Sequence, residues 1–141
     1  MADDGSDFAR SMSIATSGLR AQAGRMRVIS ENIANADSTA PTAAGNPYRR
    51  KVPTSSSALD RTLDARVVTL GKVRTDQSAF RVKHEPSNPA ADAAGNVKYP
   101  NVNPLVEMTD MREAQRSYEA NLNIISATRR MIQRTLDILK A

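Results

Sequence analysis

Along residues 8–36 the chain repeats apolar or small side chains in alternate steps of four and three. The row is Phe8, Met12, Ala15, Leu19, Gln22, Met26, Ile29, Ile33 and Ala36, and Gln22 alone breaks it. A mean spacing of 3.5 residues marks a seam on a helix that winds along another helix. Such a helix would be roughly 40 Å long at ~1.5 Å per residue. It cannot bury its stripe against itself, so the chain must supply a partner. The helix is expected to start near Ser6 or Asp7, which are good N-caps, and to end at Asn35, Ala36 and Asp37, where turn chemistry takes over. Gly18 and Gly24 interrupt it at a cost of about 1 kcal/mol each. They are either tolerated or mark close approach or bending.

The partner lies at the other end of the sequence. Asn103 and Pro104 form a helix start, with Asn as N-cap and Pro at the first helical position. The row that follows is Met108, Met111, Gln115, Tyr118, Leu122, Ile125, Arg129, Ile132, Leu136 and Leu139. A second row, Ala120, Ile124, Ala127, Met131 and Ile138, widens this apolar face beyond what one neighbour would cover. The expected fold is mostly α with a small β insert. Long N- and C-terminal helices pair as an antiparallel coiled coil, joined by a central loop and a two- or three-stranded β region. The corresponding segments are 1–36, 37–104 and 105–141.

Strand signals are confined to residues 58–100. Val67, Val68, Leu70 and Val73 form one run, Phe80 to His84 alternates apolar and basic, and Val97 to Tyr99 is a third short candidate. Residues 40–57 lack periodicity and are expected to be loop, or a weak edge strand near Pro53. They include a basic run, Arg49, Arg50 and Lys51, beside Tyr48.

Composition narrows the function. Aromatic residues make up 4% of the 141, which suits an elongated molecule completed by other chains better than a compact enzyme. The sequence has no Cys, which excludes disulfides, thiolate zinc sites and thiol catalysis. Most of the +5 net charge falls within residues 37–104. This bias suits a solvated basic surface, or an acidic partner such as nucleic acid or a wall polymer. The acidic, polar start has neither a basic region nor an apolar core, so no cleaved signal peptide is expected, and no run is long enough for a membrane span. No catalytic set, phosphate loop or metal cluster is legible. His84 is the sole histidine, so no cofactor or metal is expected.

Several motifs go further than composition. They are Ser17-Gly18-Leu19-Arg20-Ala21-Gln22; Asn32-Ile33-Ala34-Asn35-Ala36-Asp37-Ser38-Thr39; and Asn46-Pro47-Tyr48-Arg49-Arg50-Lys51. His84-Glu85-Pro86-Ser87-Asn88-Pro89-Ala90-Ala91-Asp92, Gly95-Asn96-Val97-Lys98-Tyr99-Pro100-Asn101-Val102, Glu107-Met108-Thr109-Asp110-Met111 and Arg116-Ser117-Tyr118-Glu119-Ala120-Asn121 complete the set. Together they resemble the axial proteins of the bacterial flagellar rod and hook, and among them the proximal-rod type. The resemblance runs from about Ile14 to the C-terminus. Residues 52–66 depart from it, being more polar than the family pattern, as do Ser87 and Asn96.

The resemblance implies a non-enzymatic structural subunit, polymerised through its terminal helices into the rod that carries motor torque towards the hook. It implies export by the flagellar type III apparatus and a periplasmic place in the basal body. Partners would be further copies, other proximal-rod proteins and, more distantly, peptidoglycan. Subunit packing would fall to Leu19, Met26, Ile29, Ile33, Met108, Met111, Tyr118, Leu122, Ile125, Ile132, Leu136 and Leu139. Asn32, Asn35 and Asn121 are motif residues, and Arg49, Arg50 and Lys51 are candidates for a wall or partner contact. The rival readings are a coiled-coil adaptor or export chaperone, and a small basic nucleic-acid binder.

Overall fold

A computed structural model describes residues 4–141; residues 1–3 of the expected first segment lie outside the described residues. Helix α1 spans Asp4–Ala34 and helix α2 spans Pro104–Lys140. Between them lie six short strands: β1 (Lys51–Val52), β2 (Ser55–Asp60), β3 (Ala65–Leu70), β4 (Arg74–Thr75), β5 (Arg81–His84) and β6 (Asn96–Tyr99). They form three two-stranded antiparallel sheets, β1 with β4, β2 with β3, and β5 with β6. The β region is thus larger than the two or three strands expected. β1 and β2 arise where periodicity is lacking, because their partners impose the pairing.

Both helix ends follow local chemistry. At the end of α1 the Glu31 carbonyl accepts from both the Asn35 amide at 3.1 Å and Asn35 Nδ2 at 2.9 Å. Asn103 Oδ1 accepts from the Leu105 amide at 3.1 Å, which caps α2, and Pro104 is its first residue. α1 begins earlier than the Ser6 or Asp7 expected, since Asp4 is already helical.

Compactness divides the chain into two units, each built from pieces of all three expected segments. The first comprises 1–26, 54–72 and 113–141. In it a β-carbon at Gly18 would lie 2.8 Å from Asn121 Nδ2, and Arg25 pairs with Glu113 at 3.7 Å. A step forward on α1 is therefore a step backward on α2, and these helical segments run antiparallel. Gly24 serves a different element, for a β-carbon there would meet Leu70 Cδ2 of β3 at 2.5 Å. Glycine permits both approaches. The β2–β3 hairpin turns at Asp60, whose Oδ1 accepts from the Thr62 amide at 2.9 Å, and Asp64 takes a positive φ of 46°. The buried residues of this unit are Ala15, Ala21, Ala65, Ala114 and Thr128, all small.

The second unit comprises 27–53 and 73–112. It holds the large buried side chains: Val28, Ile29, Val97, Tyr99, Val102, Asn32 and Glu107. Ala90, Val97 and Tyr99 form its apolar cluster. The β5–β6 connection closes at Gly95, whose φ of +80° favours glycine, and a β-carbon there would also crowd His84 Cε1 at 2.8 Å. Arg81 ties the chain leaving α1 to β5 and β6, donating to the carbonyls of Ala36 at 2.7 Å and Pro100 at 3.0 Å.

Candidate assembly surface and polar hub

Asn32, near the end of α1, is fully buried and has all its hydrogen-bonding capacity in use. Its Nδ2 donates to the Lys51 carbonyl at 2.8 Å, and its Oδ1 accepts from the Lys51 amide at 2.9 Å. The side-chain amide thereby stands in for a peptide group opposite β1. Its remaining donor goes to Glu107 Oε2 at 3.1 Å, and its remaining acceptor site takes the Tyr48 hydroxyl at 2.8 Å. Only an amide of this length offers two donors and two acceptors here.

Glu107, in the first turn of α2, is the buried anion of the hub. Its other oxygen receives Arg50 Nε. The Arg50 guanidinium also faces Asp76 and Asp110, each at 3.8 Å. A buried carboxylate is tolerable when it is paired and hydrogen-bonded in this way. Burial, with Glu31 and Glu107 nearby, pushes the Tyr48 phenol up to about 12. Hydrogen bonds from Ser78 and the nearby Arg50 and Arg49 hold Asp76 below the usual carboxylate range.

The basic run that was a candidate for an outward contact is therefore engaged within the chain. Arg49 lies over the Phe80 ring at 4.1 Å and donates to the carbonyl of Ser78 at 3.1 Å. Lys51 pairs with Glu31, and Arg50 with Glu107. Sequence reasoning marked Asn32 by resemblance but missed the hub. Its members lie up to 75 residues apart, and no local pattern joins them.

The helix rows are placed as follows. In α1, Ile29 is buried, while Leu19, Met26 and Ile33 are half-buried. Ile29 is 2% exposed, so its side chain is taken up within its own chain. In α2 the inward row is Glu107, Met111, Ala114, Tyr118, Asn121, Ile125, Thr128 and Ile132, all buried or half-buried. It shares Met111, Tyr118, Ile125 and Ile132 with the expected row but is otherwise shifted by one residue. Met108, Leu122, Leu136 and Leu139, expected on the seam, are exposed. The polar and small residues Glu107, Ala114, Asn121 and Thr128 occupy the inward places instead.

Two apolar rows consequently flank the inward one. Met108, Leu122 and Leu136 run along one side, and Ile124, Met131 and Ile138 along the other, and all six are exposed. At seven- and fourteen-residue spacing each row keeps its place on the helix surface. This arrangement has the chemistry of an association surface rather than of a reaction centre. Among the described residues no helix is long and apolar enough to cross a membrane.

Comparison with known proteins accords with this. Residues 12–40 match a family described as flagella basal body rod protein, and residues 93–138 match the flagellar basal body rod FlgEFG protein C-terminal family. The flagellar basal-body rod protein FlgC of Agrobacterium fabrum is 52% identical over 91% of this chain and 92% of its own length. The Bacillus subtilis protein of the same name is 36% identical over 92% of this chain and 97% of its own. That of Salmonella typhimurium is 38% identical over 89% and 92%.

Proposed function

The chain belongs to the flagellar basal-body rod protein FlgC family, structural and non-enzymatic, and on that premise we propose that it polymerises through α1 and α2 into the proximal rod. The rod so built is the shaft that carries torque from the motor towards the hook. The observation that carries this reading is the pair of exposed apolar rows on α2. One chain covers only the row between them, so Met108 and Leu122 are left for one neighbour and Ile124 and Met131 for another.

In the assembled state α1 and α2 form an antiparallel coiled coil whose outer faces are closed by adjacent subunits. Leu19, Met26, Ile33, Met111, Tyr118, Ile125 and Ile132 line that coil, with Leu139 at its exposed end. Folding is coupled to assembly. Among the described residues the first unit fully buries only alanines and a threonine, so a lone subunit gains little from ordering it, and neighbours supply the missing apolar contacts. A chain that orders late suits export through the flagellar type III apparatus and assembly in the periplasm beside other rod proteins. Arg50 and Lys51 contact the hub and Arg49 lies over Phe80; in this reading the partly exposed Lys51 is the member of the run left to meet peptidoglycan or a partner.

Leu122→Asp tests the reading. The variant should still be exported and found outside the cytoplasm, yet cells should lose swimming and their isolated basal bodies should lack a rod. Normal swimming would remove the proposal.

A further inference from the structure

Within the first unit a groove of about 640 Å³ opens between α1 and the β2–β3 hairpin. Met12, Ser13, Ala21, Val68 and Leu70 line it, with Arg20 and Asp60 at polar positions. Val68 remains exposed there, and Arg20 has no ion pair among the described residues. The last turns of α2 present the complementary problem. Leu136, Ile138 and Leu139 are 46%, 76% and 77% exposed.

We propose that this groove receives the α2 end of a second copy of the chain. The inference rests on the reading of the protein as a polymerising rod subunit and names one contact of that polymer. The same copy cannot fill its own groove. Gly18, on the groove-lining stretch of α1, lies against Asn121. Leu136 is fifteen residues further along α2, which is about 22 Å at ~1.5 Å per residue. The charges also match, since Asp137 and Lys140 accompany the apolar tail and Arg20 and Asp60 accompany the groove. The tail and the groove are different surfaces of one molecule. Such a heterologous contact repeats head to tail, giving a ring or an open helical array rather than a two-fold dimer.

Because the chain has no cysteine, a Ser13→Cys/Leu139→Cys variant reports this contact cleanly. Oxidation of isolated basal bodies should yield disulfide-linked dimers and longer multimers of this chain, absent from either single variant. Three results would overturn the contact: an intrachain disulfide, a link to a protein of another mass, or no link in basal bodies that contain the chain. Absence of the unaltered chain from basal bodies would instead sink the rod reading itself. A second arm uses charge. Arg20→Asp and Asp137→Arg should each abolish swimming, and the two together should restore it. Failure of the pair to restore swimming also refutes the contact.

Discussion

Asn32 and Glu107 are the two least accessible polar side chains of the second unit, and each leans on the other. Replacing Asn32 by Asp keeps the shape but removes both donors. It sets a carboxylate beside Glu107 and against the Lys51 carbonyl. Asn32→Asp should lower the stability of this unit by about 3 kcal/mol in chemical denaturation, the scale of a buried charge left without its partner. Glu107→Ala should cost about 3–5 kcal/mol, since Arg50 then loses its buried counterion. Tyr48 gives a pH signature. Its folded phenol titrates near 12 against an ordinary value of 10.0. The neutral form is the favoured one, so its contribution is complete below pH 10. It fades as pH rises from 10 towards 12, where the unfolded chain loses the proton first. The denaturation midpoint should fall across that window, and less steeply in Tyr48→Phe than in the unaltered protein.

At the scale of elements, α2 shows what a sequence can and cannot reveal. Its start was legible because Asn103 and Pro104 act on their own first turn. Its inward face was half legible. A count of apolar residues finds Met111, Tyr118, Ile125 and Ile132, but it passes over Glu107, Ala114, Asn121 and Thr128, which are polar or small. Asn121 sits inward because Gly18 leaves room for it, a fact written on the other helix. For Gly18 and Gly24 the sequence left tolerance, close approach and bending open; both are close approaches, and neither partner, Asn121 nor Leu70 of β3, was legible. β2 was legible only as a choice between loop and weak edge strand, because Ser55, Ser56 and Ser57 have little strand preference of their own. Register against Ala65–Leu70 makes it a strand. The shift of row yields opposed expectations for two variants. Leu122→Asp should change the melting of the free subunit by no more than about 0.5 kcal/mol while abolishing rod assembly. Ala114→Leu should destabilise the free subunit by about 1–3 kcal/mol through overpacking at a fully buried site.

For the molecule as a whole, the uneven sharing of large buried side chains sets the order of its stability. Amide exchange on the free subunit should be slowest in residues 27–53 and 73–112 and fast in the remainder, with the remainder gaining protection in isolated rods. Uniform protection in the free subunit would contradict coupled assembly. The amide clip at Asn32 has a further consequence, which concerns chemical ageing. A subunit locked into a shaft is not readily exchanged, so its covalent lifetime matters. Hydrolysis of the Asn32 amide would itself create the Asp variant and open the hub. That reaction needs the next backbone nitrogen to attack the side chain. At Asn32 the following residue is the β-branched Ile33, and helical geometry restrains the approach. No asparagine anywhere in the chain precedes a glycine, the neighbour that leaves this attack least hindered.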